Sequence, residues 1–373
     1  MRDSVPVRRP LLRRIVLPLI GVLLLAVGWT GAWFYAAARA DALLAGWRQR
    51  EAAEGRVYDC GAQAIGGFPF RFGVRCADPS AEFRGSQPAL ALKAKDIRVA
   101  AQIYQPTGLT ADFDGPLTVT DLTQSAAWTA NWTLGQASAR GTPAAPERAS
   151  FVFDELNVMR GDGSGPSVFQ AKRFELHGRV AEGSVAADPV IEIVLRLAAA
   201  TAPELHRLTE QPLDANLTAT LRGLHDFAPR PWPERLRELQ ARGGRIEISQ
   251  ARIQQGEVIA VSEGHLGLTP AGRLDGQLQI TVVGMDNVLK ALDIDRVMSQ
   301  GEVGSALNAL DRLMPGLGQF ARQNAAPGIV AGLGAMGKGT VLEGKSAVTL
   351  PLRFADGAVF LGPVPVGQVP PLF

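Results

Sequence analysis

Few side chains in this sequence could do chemistry, and their spacing narrows what that chemistry could be. Its 373 residues include two cysteines, Cys60 and Cys76, and four histidines, His177, His206, His225 and His265. No histidine stands at metal-ligand spacing from another, and two thiolates do not complete a structural zinc site. There is no Gly-x-Ser-x-Gly elbow and no His-Glu-x-x-His pair. The string GLGAMGKGT, Gly332–Thr340, follows a phosphate-binding loop through Lys338 but has Gly339 where a hydroxyl would hold magnesium. A helical pattern precedes it and a strand pattern follows, the reverse of what that loop requires, so a glycine-rich helix-to-strand turn accounts for it. His177 and His265 fall in strand-like runs. Asp154-Glu155 reads as a strand end, and Asp293 with Asp295 as a solvated helix face. The expectation is a protein with no catalytic constellation, no cofactor and no metal, hence not an enzyme.

The elements that would position any site begin with an export signal. Arg2, Arg8, Arg9, Arg13 and Arg14 precede IVLPLIGVLLLAVGWTGAWFYAAA, residues 15–38, which carries no charge. At about 1.5 Å per residue this run makes a helix of about 36 Å, enough to cross a hydrocarbon core of about 30 Å. Trp29, Trp33, Phe34 and Tyr35 crowd its C-terminal end, where amphipathic rings favour the membrane interface. The arginines hold the N-terminus in the cytoplasm, so the chain beyond is exported. Ala38-Arg39-Ala40 also has the form of a cleavage site, but the apolar run exceeds the roughly 7–15 residues of a signal core, which favours an uncleaved single anchor. With 38 basic against 36 acidic residues and a net charge of +2, no case exists for a nucleic-acid partner.

Export decides how the cysteines are read. In an oxidising compartment, Cys60 and Cys76 are expected to form a disulfide rather than a thiol pair. Between them lies Gly-Gly-Phe-Pro-Phe-Arg-Phe, residues 66–72. Read as a strand, it points Phe68, Phe70 and Phe72 to one side with Val74 and Cys76, and confines Pro69 to an edge or bulge. Those rings either close a core, the commoner use of alternating aromatics, or line a groove for an apolar ligand.

From residue 56 the dominant period is two. Leu213, Ala215, Leu217, Ala219 and Leu221 alternate with polar residues, as do Leu274, Leu278, Ile280 and Val282, and again Val348, Leu350, Leu352 and Phe354. Turn signals such as Gly161-Asp162-Gly163, Gln255-Gly256 and Asp356-Gly357 separate the runs, and Arg245–Val283 reads as a three-strand meander. Roughly fifteen strands are expected. Two helices interrupt them: ERLRELQAR after Pro231-Trp232-Pro233, and a longer amphipathic insertion at about 285–336. GTPAAPER, residues 141–148, reads as an exposed loop.

The anchor, the Cys…Gly-Phe-Pro-Phe-Arg-Phe…Cys element and the C-terminal Leu352-Arg353-Phe354-Ala355-Asp356-Gly357 with Phe360-Leu361-Gly362-Pro363 together resemble the domain-of-unknown-function 2125 family of bacterial envelope proteins. No catalytic residues come with that resemblance. In strand pattern alone the chain is similar to AsmA-like envelope proteins, which implies a long curved sheet with an apolar trough. The expected fold is mainly β with an inserted helical segment, a large curved antiparallel sheet or half-barrel behind one transmembrane helix. Its parts are a cytoplasmic basic N-terminus (1–14), an anchor in the bacterial inner membrane (15–38), a helical stalk (39–55) and an exported, periplasmic β-rich domain (56–373). The expected function is a membrane-tethered envelope module that binds or transfers a lipid or other apolar ligand in a sheet-lined trough. A non-catalytic scaffold for envelope proteins and a hydrolase of envelope polymers are the alternatives.

Overall fold

The computed structural model of the protein describes residues 10–86, 88–124, 126–142, 145–228, 230–285, 287–288, 337–362 and 364–373. The expected helical insertion lies almost wholly outside these residues, as do Asp293, Asp295 and residues 332–336.

A long apolar run, which tolerates Pro18 and four glycines inside it, builds α1, Pro10–Ala53, which carries the charge-free segment and continues unbroken through the stalk. Its apolar side chains from Ile15 to Leu25 are exposed, with no protein packed around them. Among the described residues the other α-helix is α2, Trp232–Ala241, started by Pro231 and Pro233 and ended at Gly243, whose φ of 63° closes the helix without strain.

Period-two alternation becomes sheet nearly everywhere else: 59% of the described residues are strand, in one antiparallel sheet of nineteen described strands. The first part runs β1 (Arg56–Gly66), β2 (Arg71–Phe83), β3 (Leu90–Lys93), β4 (Asp96–Gln102), β5 (Gln105–Asp114), β6 (Leu117–Asp121), β7 (Ala127–Asn131), β8 (Leu134–Thr142) and β9 (Ala145–Arg160). It continues through β10 (Ser167–Ser184), β11 (Ala187–Ala200), β12 (Leu213–Arg222), β13 (Arg245–Gln255), β14 (Val258–Leu268) and β15 (Leu274–Val283). The last strands are β16 (Lys338–Leu342), β17 (Lys345–Ala355), β18 (Ala358–Leu361) and β19 (Val364–Gln368).

The count exceeds the expected fifteen because long rows are broken into pieces. β3 and β4 lie end to end along β2, β5 and β6 along the next row, and β7 and β8 along β9. β16 and β18 likewise share one edge of β17. The breaks align across the sheet. Asp78 (φ 50°) in β2 faces the Ala94-Lys95 step, then come Gly115-Pro116, Trp132-Thr133, Glu155 (φ 52°) in β9 and Ala199 (φ 47°) in β11. Left-handed residues interrupt the pleat, so this line is a crease across the sheet from β2 to β11. Trp132 fills it, its Nε1 donating to the Phe113 carbonyl at 2.8 Å and its ring lying against Gly115 and Gly135.

Three expectations change. Asp154-Glu155 sits in the middle of β9, on the crease, rather than at a strand end. Residues 141–148 belong largely to β8 and β9, because Thr142 pairs with Ala145 and a register shift beside Gly141 accommodates Pro146. The strand expected to run through Phe68 begins only at Arg71. The meander over Arg245–Val283 forms as expected, as β13, β14 and β15. β1 and β19 each pair on one side only, so among the described residues the sheet does not close into a barrel.

Candidate functional site: the α1 contact and the apolar face

Where α1 meets the sheet, the Phe-Pro-Phe-Arg-Phe motif explains itself. Gly67 to Phe70 form the tight turn joining β1 to β2, with the Arg71 amide donating to the Gly67 carbonyl at 2.8 Å. Gly67 has a φ of 103°, and a Cβ there would stand 2.7 Å from the Arg71 carbonyl oxygen, so only glycine fits. α1 contacts the backbone of this turn: Trp29 Nε1 donates to the Pro69 carbonyl at 3.0 Å and Trp33 Nε1 to that of Arg71 at 3.1 Å. Trp33 is buried, stacked on Phe72 with centroids 5.3 Å apart and edge-on to Phe68 at 5.6 Å. Phe72 therefore packs, while Phe68 and Phe70 stay 48% and 64% exposed at the tip. Farther along α1, Trp47 stacks on Tyr58, and Gln63 bridges Arg48 and Asp41, each contact 2.5 Å.

Cys60 and Cys76 are joined in a disulfide, their Cα atoms 5.6 Å apart. Strict alternation would put them on opposite faces, because Cys76 faces Gln63 and Cys60 lies three residues from it. The left-handed Asp78 breaks the pleat beside them, and the crease lets the two sulfurs meet.

From Phe72 and Val74 one face of the sheet is apolar without a break. Following paired residues from β2, one line runs Val74, Val99, Ala111, Ala137, Phe151, Leu176, Leu195, Leu217 and Ala251. A second runs Phe72, Ala101, Leu109, Ala139, Ala149, Gly178, Ile193, Ala219, Ile248, Gly264, Leu278 and Leu352. At roughly 4.8 Å per strand, the second line is about 50 Å long. α2 covers part of one margin, where Leu239 and Leu224 bury Ile191. At the β15–β17 end Leu278 and Leu350 are buried. Between these ends no described residue covers the face: Leu109, Phe151, Ile246 and Ile253 are 38–47% exposed, and a Cβ added at Gly178 would meet nothing within 4 Å among the described residues. Beside it Ala149, Gly178, Val180, Val185, Ile191 and Phe227 line an apolar hollow of about 170 Å³.

The other face is charged. Arg98 pairs with Asp114, Arg173 with Asp154 and Glu175, and Arg179 with Glu192, at 2.5–2.8 Å. Arg222 joins Glu182 and Glu247. Arg173, then His177, hold the Glu175 carboxyl below its ordinary range, and Arg179 does the same for Glu192. At the crease Asp96 is buried between Arg75, which donates to Oδ2 at 2.7 Å, and Arg98, 3.5 Å from Oδ1, an atom left without a hydrogen bond. The sheet is thus apolar on one side and charged on the other, the alternation expected of antiparallel strands with one wet face.

The sequence-level sites do not converge. His177 sits 3.3 Å from Glu175 on the charged face, His265 lies in β14, and Lys338, Gly339 and Thr340 begin β16. Among the described residues no group of three His, Cys, Asp or Glu side chains could hold a metal. Alternation in single strands was visible in the sequence. Which strands lie side by side was not, so the continuous apolar face had no signal there.

No curated protein is matched by this sequence. The family described as "Uncharacterized protein conserved in bacteria (DUF2125)" matches residues 33–370, from the buried Trp33 of α1 to the end of the sheet. The chain belongs to that family.

Proposed function

We propose that the protein is a membrane-tethered envelope module that binds a lipid, or another apolar molecule of similar shape, along the apolar face of its sheet and acts on it without chemistry. α1 is the anchor in the inner membrane, with the N-terminus cytoplasmic and the sheet periplasmic, in keeping with the arginines before residue 15.

One observation carries the reading: the apolar face is continuous from the strand that touches α1 and, among the described residues, is half-open over its middle. Monomeric soluble proteins rarely leave contiguous apolar areas of this kind uncovered, and those that do use them for binding. A length of about 50 Å exceeds the roughly 15 Å of one leaflet, so an acyl chain fits along it. Lipid entering from the bilayer beside α1 would meet Phe72 and Val74 first.

The test is extraction of the full-length protein in a mild detergent, followed by mass spectrometry of what remains bound after exhaustive washing. A reproducible lipid in about molar proportion is expected. Repeated absence of lipid, with the fold intact by circular dichroism, removes this reading and leaves a scaffold with protein partners.

A further inference from the structure

On the charged face, at the end nearest the anchor, three arginines stand around one open hollow of about 480 Å³: Arg71, Arg140 and Arg148. Gln102, Gln105, Thr110, Ser138 and Ser150 complete its polar lining. The register makes the arrangement costly by itself. Arg140 is directly opposite Arg148 on neighbouring strands, and Arg148 is directly opposite Arg179. Like charges facing each other across a ladder repel. Arg179 is neutralised by a two-pronged contact with Glu192 at 2.7 and 2.8 Å. Arg71, Arg140 and Arg148, by contrast, have no carboxylate within 4.0 Å among the described residues. Most arginines of the sheet have such a partner, so a counter-charge is missing here rather than everywhere.

Height relative to the anchor identifies the anion. The Arg71 carbonyl accepts from Trp33, and the Phe70 carbonyl accepts from the amide of Ile103, which brings the exposed Tyr104 turn beside the exposed Phe70 tip. Trp33 lies inside the charge-free segment, and Arg39, the first charge after it, is about 9 Å farther along the helix. Aromatic rings at that position mark the headgroup layer. We infer that Arg71, Arg140 and Arg148 bind the phosphate of an anionic phospholipid in the leaflet that α1 leaves. Forked guanidinium contacts to phosphate oxygens suit this role. The inference rests on α1 being the membrane anchor, and it adds a headgroup site on the face opposite the apolar one.

The experiment uses full-length protein in a non-ionic detergent, titrated with dihexanoyl phosphatidylglycerol, dihexanoyl phosphatidylcholine and inorganic phosphate while the melting temperature is followed. Phosphatidylglycerol is expected to raise it in a saturable way, and Arg140→Gln with Arg148→Gln to weaken that binding about tenfold or more. Without ligand the same double variant should melt no lower than the wild type, because a repulsion has been removed; this also guards against a variant that misfolds. Equal binding of phosphatidylcholine, or undiminished binding by the double variant, overturns the site. Inorganic phosphate binding as tightly as phosphatidylglycerol overturns the headgroup assignment. Membrane fractionation of the same protein tests the anchor, and co-extracted long-chain lipid tests the apolar face, so each failure is read separately.

Discussion

Phe151 lies near the middle of the apolar face, paired with Ala137 on one side and Leu176 on the other, and is 40% exposed. Phe151→Gln keeps a side chain of similar reach and removes the ring. Fully burying a phenylalanine stabilises by about 1.5–3 kcal/mol, so the three-fifths already removed from water should be worth about 1–2 kcal/mol. Leu350, on the same face but 1% exposed, supplies the contrast. Leu350→Ala should cost about 2–5 kcal/mol, because the loss of burial is joined by a cavity. Urea unfolding of the detergent-solubilised protein measures both, and mass spectrometry measures bound lipid per protein. If the middle of the face holds an acyl chain, Phe151→Gln lowers lipid content severalfold at modest loss of stability. A loss of stability as large as that of Leu350→Ala would mean that the face is sealed. Unchanged lipid content in a folded Phe151→Gln protein would refute the assignment of the binding surface.

Other outcomes follow from the same geometry. Removing the Cys60–Cys76 bridge, which spans a sequence separation of 16, should cost about 3 kcal/mol in the chain-entropy model, and reductant should lower the melting point of the wild type but not of Cys60→Ser/Cys76→Ser. Glu175, Glu192 and Glu247 are held below the ordinary value of 4.5, by Arg173, Arg179 and Arg245 respectively. Their contribution is complete above that value and is lost as pH falls through the lowered folded-state values, so melting points should decline from about pH 4.5 downward and decline less in the triple Glu→Gln variant. Gly264 has a φ of 143°, and a Cβ there would lie 2.2 Å from the Gln277 carbonyl oxygen, so Gly264→Ala should destabilise by about 3 kcal/mol or more, while Gly178→Ala, facing open space, should be nearly neutral in the same denaturant series.

Much of the protein is local and therefore legible in the residue order. An uncharged run of 24 residues between arginines makes a helix long and apolar enough to cross a membrane, because backbone groups in an apolar run are best satisfied within one helix. Alternation at Leu213–Leu221 requires a strand with one wet face, and the expectation of export pointed to a disulfide between the only two cysteines, which the structure contains. Proline at its start and glycine at its end bounded α2.

What depends on neighbours was not legible. Phe68, Phe70 and Phe72 have the spacing of a strand, but Gly67 turns the chain, and the partner that buries Phe72 is Trp33, thirty-nine residues earlier. Alternation fixes that a strand has an apolar side, not which strand lies beside it, because pairing energy is shared between rows distant in sequence. Only the assembled sheet joins those sides into one surface running from α1. Only its register sets Arg140 against Arg148, since each residue alone is an ordinary exposed arginine and the charge that needs a partner exists between them.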